Sequence, residues 1–135
     1  MDTKNKELDV EKLEGISALL IHVAKIDDNY TDKEKNIISG FLRSFDSNEE
    51  NVKKILKRAE NLENNSNQLL NFTNIIKKSS LESKSIIIKE LWKIILSDNI
   101  SDEYETSLVR RVCGLIYFPD KLSGEIKMQL INSKK

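Results

Sequence analysis

Apolar residues recur along this chain at intervals of three and four, in runs separated by short polar corners. That spacing is the helical period, which turns one face of each run toward a core. From about Val10 to Asp27, Leu13, Ile16, Leu20, Val23 and Ala24 keep the period, while Leu19, Ile21 and Ile26 widen the apolar surface. The pattern predicts a central helix buried on more than one side. A second helix begins at Thr31, whose side chain can accept from the N–H of Glu34 while Glu34 reaches back, a capping box. Ile37, Ile38, Phe41, Leu42 and Phe45 form its core face. Ser47 and Glu50 repeat the capping logic before a third helix carrying Val52, Ile55, Leu56, Ala59 and Leu62.

A fourth helix, roughly Gln68 to Lys78, presents Leu69, Leu70, Phe72, Ile75 and Ile76. Ser79 and Glu82 are placed to cap a fifth, with Leu81, Ile86, Ile87, Leu91, Trp92, Ile94, Ile95 and Leu96. Its isoleucine triplet has local strand character, since β-branched side chains are stiff. It runs straight into "KELWKIIL" at helical period, so helix is predicted. A sixth helix starts near Asp102 and carries Leu108, Val109, Val112, Cys113, Leu115 and Ile116, with Pro119 expected to stop it. A last helical segment spans about Leu122 to Ile131. The fold class expected is all-α: a single-domain bundle of six to seven helices over residues 1–135, with 1–8 and 132–135 frayed. Leu20, Ile37, Phe41, Trp92, Ile95 and Val112 are its expected core.

Two corners repeat each other. "AKIDDNYTDKE" runs from Ala24 to Glu34 and "ILSDNISDEYE" from Ile95 to Glu105, and in each an Asp precedes a Glu by seven positions: Asp27 and Glu34, Asp98 and Glu105. The residue after the first Asp is Asp28 in one copy and Asn99 in the other. Asn and Asp are the residues, glycine apart, that best tolerate the left-handed conformation at a helix end. Both corners therefore read as helix-turn-helix elbows joined by an approximate internal repeat.

Composition narrows the setting. The 135 residues hold 22 basic and 22 acidic side chains, four glycines and one proline. Charge balance gives no attraction to nucleic acid, and few turn residues favour long helices. The stripe Lys53, Lys54, Lys57 and Arg58 is flanked by Glu49, Glu50 and Glu60 and reads as a solvated face. A polar N-terminus without an apolar stretch predicts no secretion signal, and no apolar run has the length of a membrane span. The single Cys113 excludes an internal disulfide and suits a reducing cytoplasm. It falls on an apolar face, as an inert core thiol. His22, in "LLIHVAK", is the only histidine, which leaves zinc and catalytic-triad chemistry without partners and makes it a core or interface residue.

The acids at the elbows are the remaining candidates. Asp32 and Glu34, like Asp102, Glu103 and Glu105, lie in first helical turns, where negative charge is favoured by the helix dipole. Asp27 and Asp98 end their helices, where it is disfavoured, so an N–H, a lysine or a cation should compensate. If the elbows meet, Asp27, Asp28, Glu34, Asp98 and Glu105 offer oxygen ligands for a hard divalent ion such as calcium or magnesium. The twelve-residue calcium loop does not fit, because Asp32 and Ile38 stand at its glycine and glutamate positions.

These elbows and their flanks resemble the tellurite-resistance TerB-like family, marked by two elbows of Asp-Gly, a spacer and a Glu opening the next helix. The first matches through Ala24, Asp27, Tyr30 and Glu34; the second through Trp92, Asp98, Glu105, Leu108, Arg110, Arg111 and Val112. The similarity runs from about Leu13 to Phe118. Asp28 and Asn99 replace both family glycines, and Ile100 sits one place before the usual apolar spacer position, occupied by Ser101. Ile95 and Ser97 stand where the family has small residues, so looser packing is expected there. The resemblance implies a helical bundle with adjacent elbows, a role in tellurite resistance or stress response, and divalent metal at the acidic residues. The resulting expectation is a noncatalytic TerB-like domain that binds a protein partner, with no nucleic acid and no integral membrane association. The alternatives are a structural or assembly protein whose acids only cap helices, and a small carboxylate-based hydrolase.

Overall fold

The computed structural model describes residues 9–26, 30–65, 69–98 and 103–133, with the backbone alone at Ile26, Asp98 and 103–105. Of the segments expected to fray, 1–8 and 132–135, residues 1–8 and 134–135 lie outside this description, while Asn132 and Ser133 belong to the last helix. Seven helices follow one another among the described residues: α1 Val10–Ile26, α2 Asp32–Arg43, α3 Glu49–Asn64, α4 Leu69–Ile76, α5 Leu81–Ile95, α6 Glu103–Ile116 and α7 Asp120–Ser133. A 3-10 turn, Leu96–Asp98, extends α5. The expected all-α bundle is what forms, and the isoleucine triplet is helical.

The wide apolar surface of α1 is used on several sides. It touches α2, α3, α4 and α5, and Ile16, Ala18, Leu19, Leu20 and Ile21 are completely buried. Gly15 lets α4 come close, since a Cβ there would lie 2.8 Å from Cδ1 of Ile75. α5 is the matching hub, touching α1, α2, α6 and α7. The repeat is visible in these pairings. α1 packs on α2 and α3, which touch each other; α5 packs on α6 and α7, which also touch each other. α7 lays Leu122, Ile126, Leu130 and Ile131 over the common core.

Several local expectations shift. Ile37 is half-buried rather than core, while Leu62, Leu70 and Leu81 are exposed. On α3 the inward stripe runs Val52, Ile55, Ala59 and then Glu63, so the helical period carries the acid inward and Leu62 out. On α4 the stripe is Leu69, Phe72, Thr73 and Ile76, which leaves Leu70 outside it. Leu81 opens α5 at the surface. Two caps fall one residue later than expected: Asn48, not Ser47, accepts from Glu50 and Asn51, and Ser80, not Ser79, accepts from Ser83. Asn and Ser are comparable caps, so neighbours decide. Asp46 accepts from the backbone of Asn48 at 2.9 Å and selects that residue.

Pro119 does not end α6. The helix stops at Ile116, with Tyr117 left-handed at φ 62°. Phe118 N–H donates to the Cys113 carbonyl at 2.8 Å and Tyr117 N–H to that of Gly114 at 3.4 Å. This is the Schellman arrangement, with tyrosine at the position glycine usually takes. Pro119 instead precedes α7, which begins two residues before the expected Leu122.

Candidate functional site at the paired elbows

Thr31 caps α2 with the expected box. Its N–H donates to Oε1 of Glu34 at 3.0 Å, and its hydroxyl donates to the same oxygen. The other carboxylate oxygen leaves the first elbow. Oε2 accepts from the hydroxyl of Ser97 at 3.0 Å, and Ser97 belongs to the 3-10 turn of the second elbow. Lys33 makes a parallel link by donating its ammonium to the Ser97 carbonyl. The Ser97 hydroxyl also lies 2.7 Å from the Ile94 carbonyl, its alternative acceptor.

Glu34 is only 2% exposed. Burial works to raise its pKa, but the Thr31 side chain, the Thr31 backbone and the Ser97 hydroxyl together hold it below the usual carboxylate value. The first elbow therefore inserts an ionised, hydrogen-bonded carboxylate against the second. Packing here is not loose, contrary to the expectation for Ile95 and Ser97, which are 2% and 9% exposed. The hydroxyl at position 97 has a specific partner.

Of the five expected metal ligands, Glu34 alone is described with its side chain. Asp27, Asp28 and the glycine-replacing Asn99 lie outside the described residues, as do Ile100 and Ser101. The side chains of Asp98 and Glu105 lie outside them too, although the backbone puts Asp98 at the end of the 3-10 turn and Glu105 in the first turn of α6. Among the described residues, no three His, Cys, Asp or Glu side chains form a group able to hold a metal ion.

The side of the first elbow toward α3 carries polar contacts that sequence reading missed. Glu63 is 7% exposed and accepts from Lys25 at 2.8 Å, with Nδ1 of His22 3.2 Å from its other oxygen. His22 also sets its ring against Phe72 at 5.6 Å. It is thus an interface histidine between α1, α3 and α4. One turn away on α3, Glu60 accepts from the Tyr30 hydroxyl at 2.7 Å and lies 3.5 Å from the Lys35 ammonium. Burial, the Glu60 hydrogen bond and the negative charges of Glu60 and Glu63 push the Tyr30 phenol above its ordinary pKa. The signal available in the sequence was the α3 period, which puts residue 63 in line with Ala59.

One turn before the end of α5, the Trp92 indole N–H donates to the Ser123 hydroxyl at 3.0 Å, joining α5 to α7. Cys113 is completely buried, and burial pushes its thiol up to about 11 against a weaker opposing bond from Ser123. That is the inert core thiol expected. The basic stripe Lys53, Lys54, Lys57 and Arg58 is exposed, with Arg58 3.3 Å from Glu14 of α1. Among the described residues, no helix is long and apolar enough to cross a membrane.

Residues 14–128 match the family described as Tellurite resistance protein TerB. No curated protein and no solved structure matches the chain.

Proposed function

The chain belongs to the tellurite-resistance TerB family, and we propose that it works there as a noncatalytic cytoplasmic binding domain. In this reading it takes a protein partner and holds a divalent ion between its acidic elbows, in a stress-related role. The observation that supports it is the 3.0 Å bond between Ser97 of the second elbow and Glu34 of the first. It brings together two segments more than sixty residues apart, each carrying the acids that the sequence marks. Asp27, Asp28, Asp98 and Glu105 are the further ligands of the proposal. An all-oxygen set suits calcium or magnesium. Glu34 fits such a role in part: it is held ionised, and Oε2 accepts the Ser97 hydrogen bond while having capacity for a second.

A second reading, in which the acids serve helix ends alone, is favoured by a specific observation. Both Glu34 oxygens already have donors, and the Lys33 ammonium supplies positive charge to the Ser97 carbonyl at the end of α5. Melting curves at constant ionic strength, with and without millimolar calcium, magnesium or manganese, separate the two. Ion binding to the native state raises the midpoint, and Asp27→Asn with Asp98→Asn should abolish that rise without lowering metal-free stability. A parent protein with no ion-dependent shift would reject the ion site and leave the capping role. The carboxylate-hydrolase reading needs two acids facing one cavity. Neither the α5–α7 groove nor the α5–α6–α7 cleft has two among its described lining residues.

A further inference from the structure

The cleft between α5, α6 and α7 shares no residue with the Glu34 contact and is a half-open space of about 220 Å³. Its wall is rigid. Trp92 is 3% exposed and is fixed by its bond to the buried Ser123, while Val109 beside it is 2% exposed. Its charge comes from three places: Arg110 on α6, Lys127 on α7, and Asp120 in the first turn of α7. The Lys127 ammonium stands 4.8 Å from the Trp92 ring centroid. Among the described residues neither Arg110 nor Lys127 has an ion-pair partner, and Asp120 makes no ion pair with either. The cleft thus has a formal excess of one positive charge.

We propose that this cleft binds a small organic carboxylate that also carries an ammonium or hydroxyl group, with Arg110 and Lys127 taking the carboxylate and Asp120 the donor. Arginine presents a planar fork of donors matched to a carboxylate, and lysine adds a point charge that can swing off the tryptophan face. Both cations come from different helices into one small space, so their mutual repulsion is relieved by an anion. A hydroxy acid is a monoanion at neutral pH and cancels the single excess positive charge. An amino acid is a neutral zwitterion, whose carboxylate meets the two cations and whose ammonium meets Asp120. A phosphate dianion would set its surplus charge beside Asp120. The aliphatic stems of Arg110 and Lys127, with the margin of Trp92 that the lysine uncovers when it swings away, suit a hydrocarbon portion, which an inorganic ion lacks. The volume falls below the ~300–1,000 Å³ of drug-sized pockets, which limits the occupant to about the size of an amino acid or hydroxy acid.

This inference does not depend on the ion proposed at the elbows, because no residue of the cleft belongs to that set. The chain contains one tryptophan, so its indole N–H gives a single unambiguous resonance in the ¹⁵N-labelled full-length protein. Titration with L-serine or L-lactate at neutral pH and fixed ionic strength should move that resonance saturably. Acetate should bind at least several-fold more weakly, and inorganic phosphate should not saturate. Arg110→Ala and Lys127→Ala, both at accessible positions, should each weaken serine and lactate binding at least tenfold. Asp120→Asn should erase the advantage over acetate. Wild-type melting midpoints would certify that the variants are folded. The proposal is overturned if neither serine nor lactate gives a saturable shift, if acetate or phosphate binds as tightly, or if folded Arg110 and Lys127 variants respond like the parent.

Discussion

The link between Glu34 and Ser97 can be weighed by a double-substitution cycle. Glu34→Ala removes the acceptor for the Thr31 N–H, the Thr31 hydroxyl and the Ser97 hydroxyl. Thr31 is exposed, so water replaces much of its loss, and that part is worth a helix cap, about 0.5–2 kcal/mol. Ser97 is buried, but its hydroxyl can turn fully to the Ile94 carbonyl 2.7 Å away, which limits its part to about 1 kcal/mol. Together with lost packing, Glu34→Ala should cost about 2–4 kcal/mol. Ser97→Ala leaves a buried carboxylate oxygen short of a donor and should cost about 1–2 kcal/mol. If the two side chains act on each other, the double variant loses about 1 kcal/mol less than the sum of the singles. Urea melts at neutral pH give all three values. Single costs that add within ~0.3 kcal/mol would show no coupling and refute the tie between the elbows. The pH dependence follows with a definite sign. Because the folded pKa lies below the ordinary glutamate value, the stabilisation is present above that value. It is lost as pH falls through the folded one. Glu34→Gln should flatten the acid limb of the stability curve.

Leu20→Ala empties a completely buried position on α1 and should cost about 2–5 kcal/mol in denaturant melts, with an unchanged midpoint rejecting the core assignment. Thr31→Ala should lose about 0.5–2 kcal/mol with no change in ion response, and equal midpoints and slopes would reject the cap. Tyr117→Gly relieves a left-handed residue that is 73% exposed, so it should stabilise by about 0.5–1 kcal/mol despite the entropy glycine adds to the unfolded chain. A lowered midpoint would mean that the Lys84 ammonium, 5.9 Å from the ring centroid, makes a contact worth more than the strain.

What the sequence made legible was periodic. Seven helices, the α1 hub and the Thr31–Glu34 box follow from spacings of three and four and from cap chemistry that acts within one turn. What it hid was long-range or depended on competition between neighbours. Glu63 looks like a surface acid until α1 brings His22 and Lys25 against it, across 41 and 38 positions of chain. Asn48 displaces Ser47 because Asp46 steadies its backbone. Arg110 and Arg111 point apart, as adjacent helical residues must. Which one turns to a cleft was set by α7, whose Lys127 and Asp120 line the same space. Of the five acids expected at the elbows, the described structure bears on Glu34, and the partner it finds there is a residue that sequence reading had marked only for its size.

Ser97 also marks where the repeat stops being symmetrical. Aligning Asp27 with Asp98 and Glu34 with Glu105 sets Ser97 opposite Ile26 and Lys33 opposite Tyr104. The first elbow sends a carboxylate and an ammonium to the hydroxyl and carbonyl of Ser97. The return contact cannot be built from the same chemistry, because isoleucine has no hydroxyl to donate and tyrosine has no ammonium. Among the described residues, Glu34 and Lys33 of the first elbow both reach Ser97 of the second, and the sequence places no hydroxyl at the position matching Ser97 and no ammonium at the one matching Lys33. A repeat with equal elbows would offer two equivalent oxygen sets. The unequal sequences at these positions argue that the ion proposed here would be a single one shared between the elbows, with Glu34 both a ligand and the link that fixes their separation.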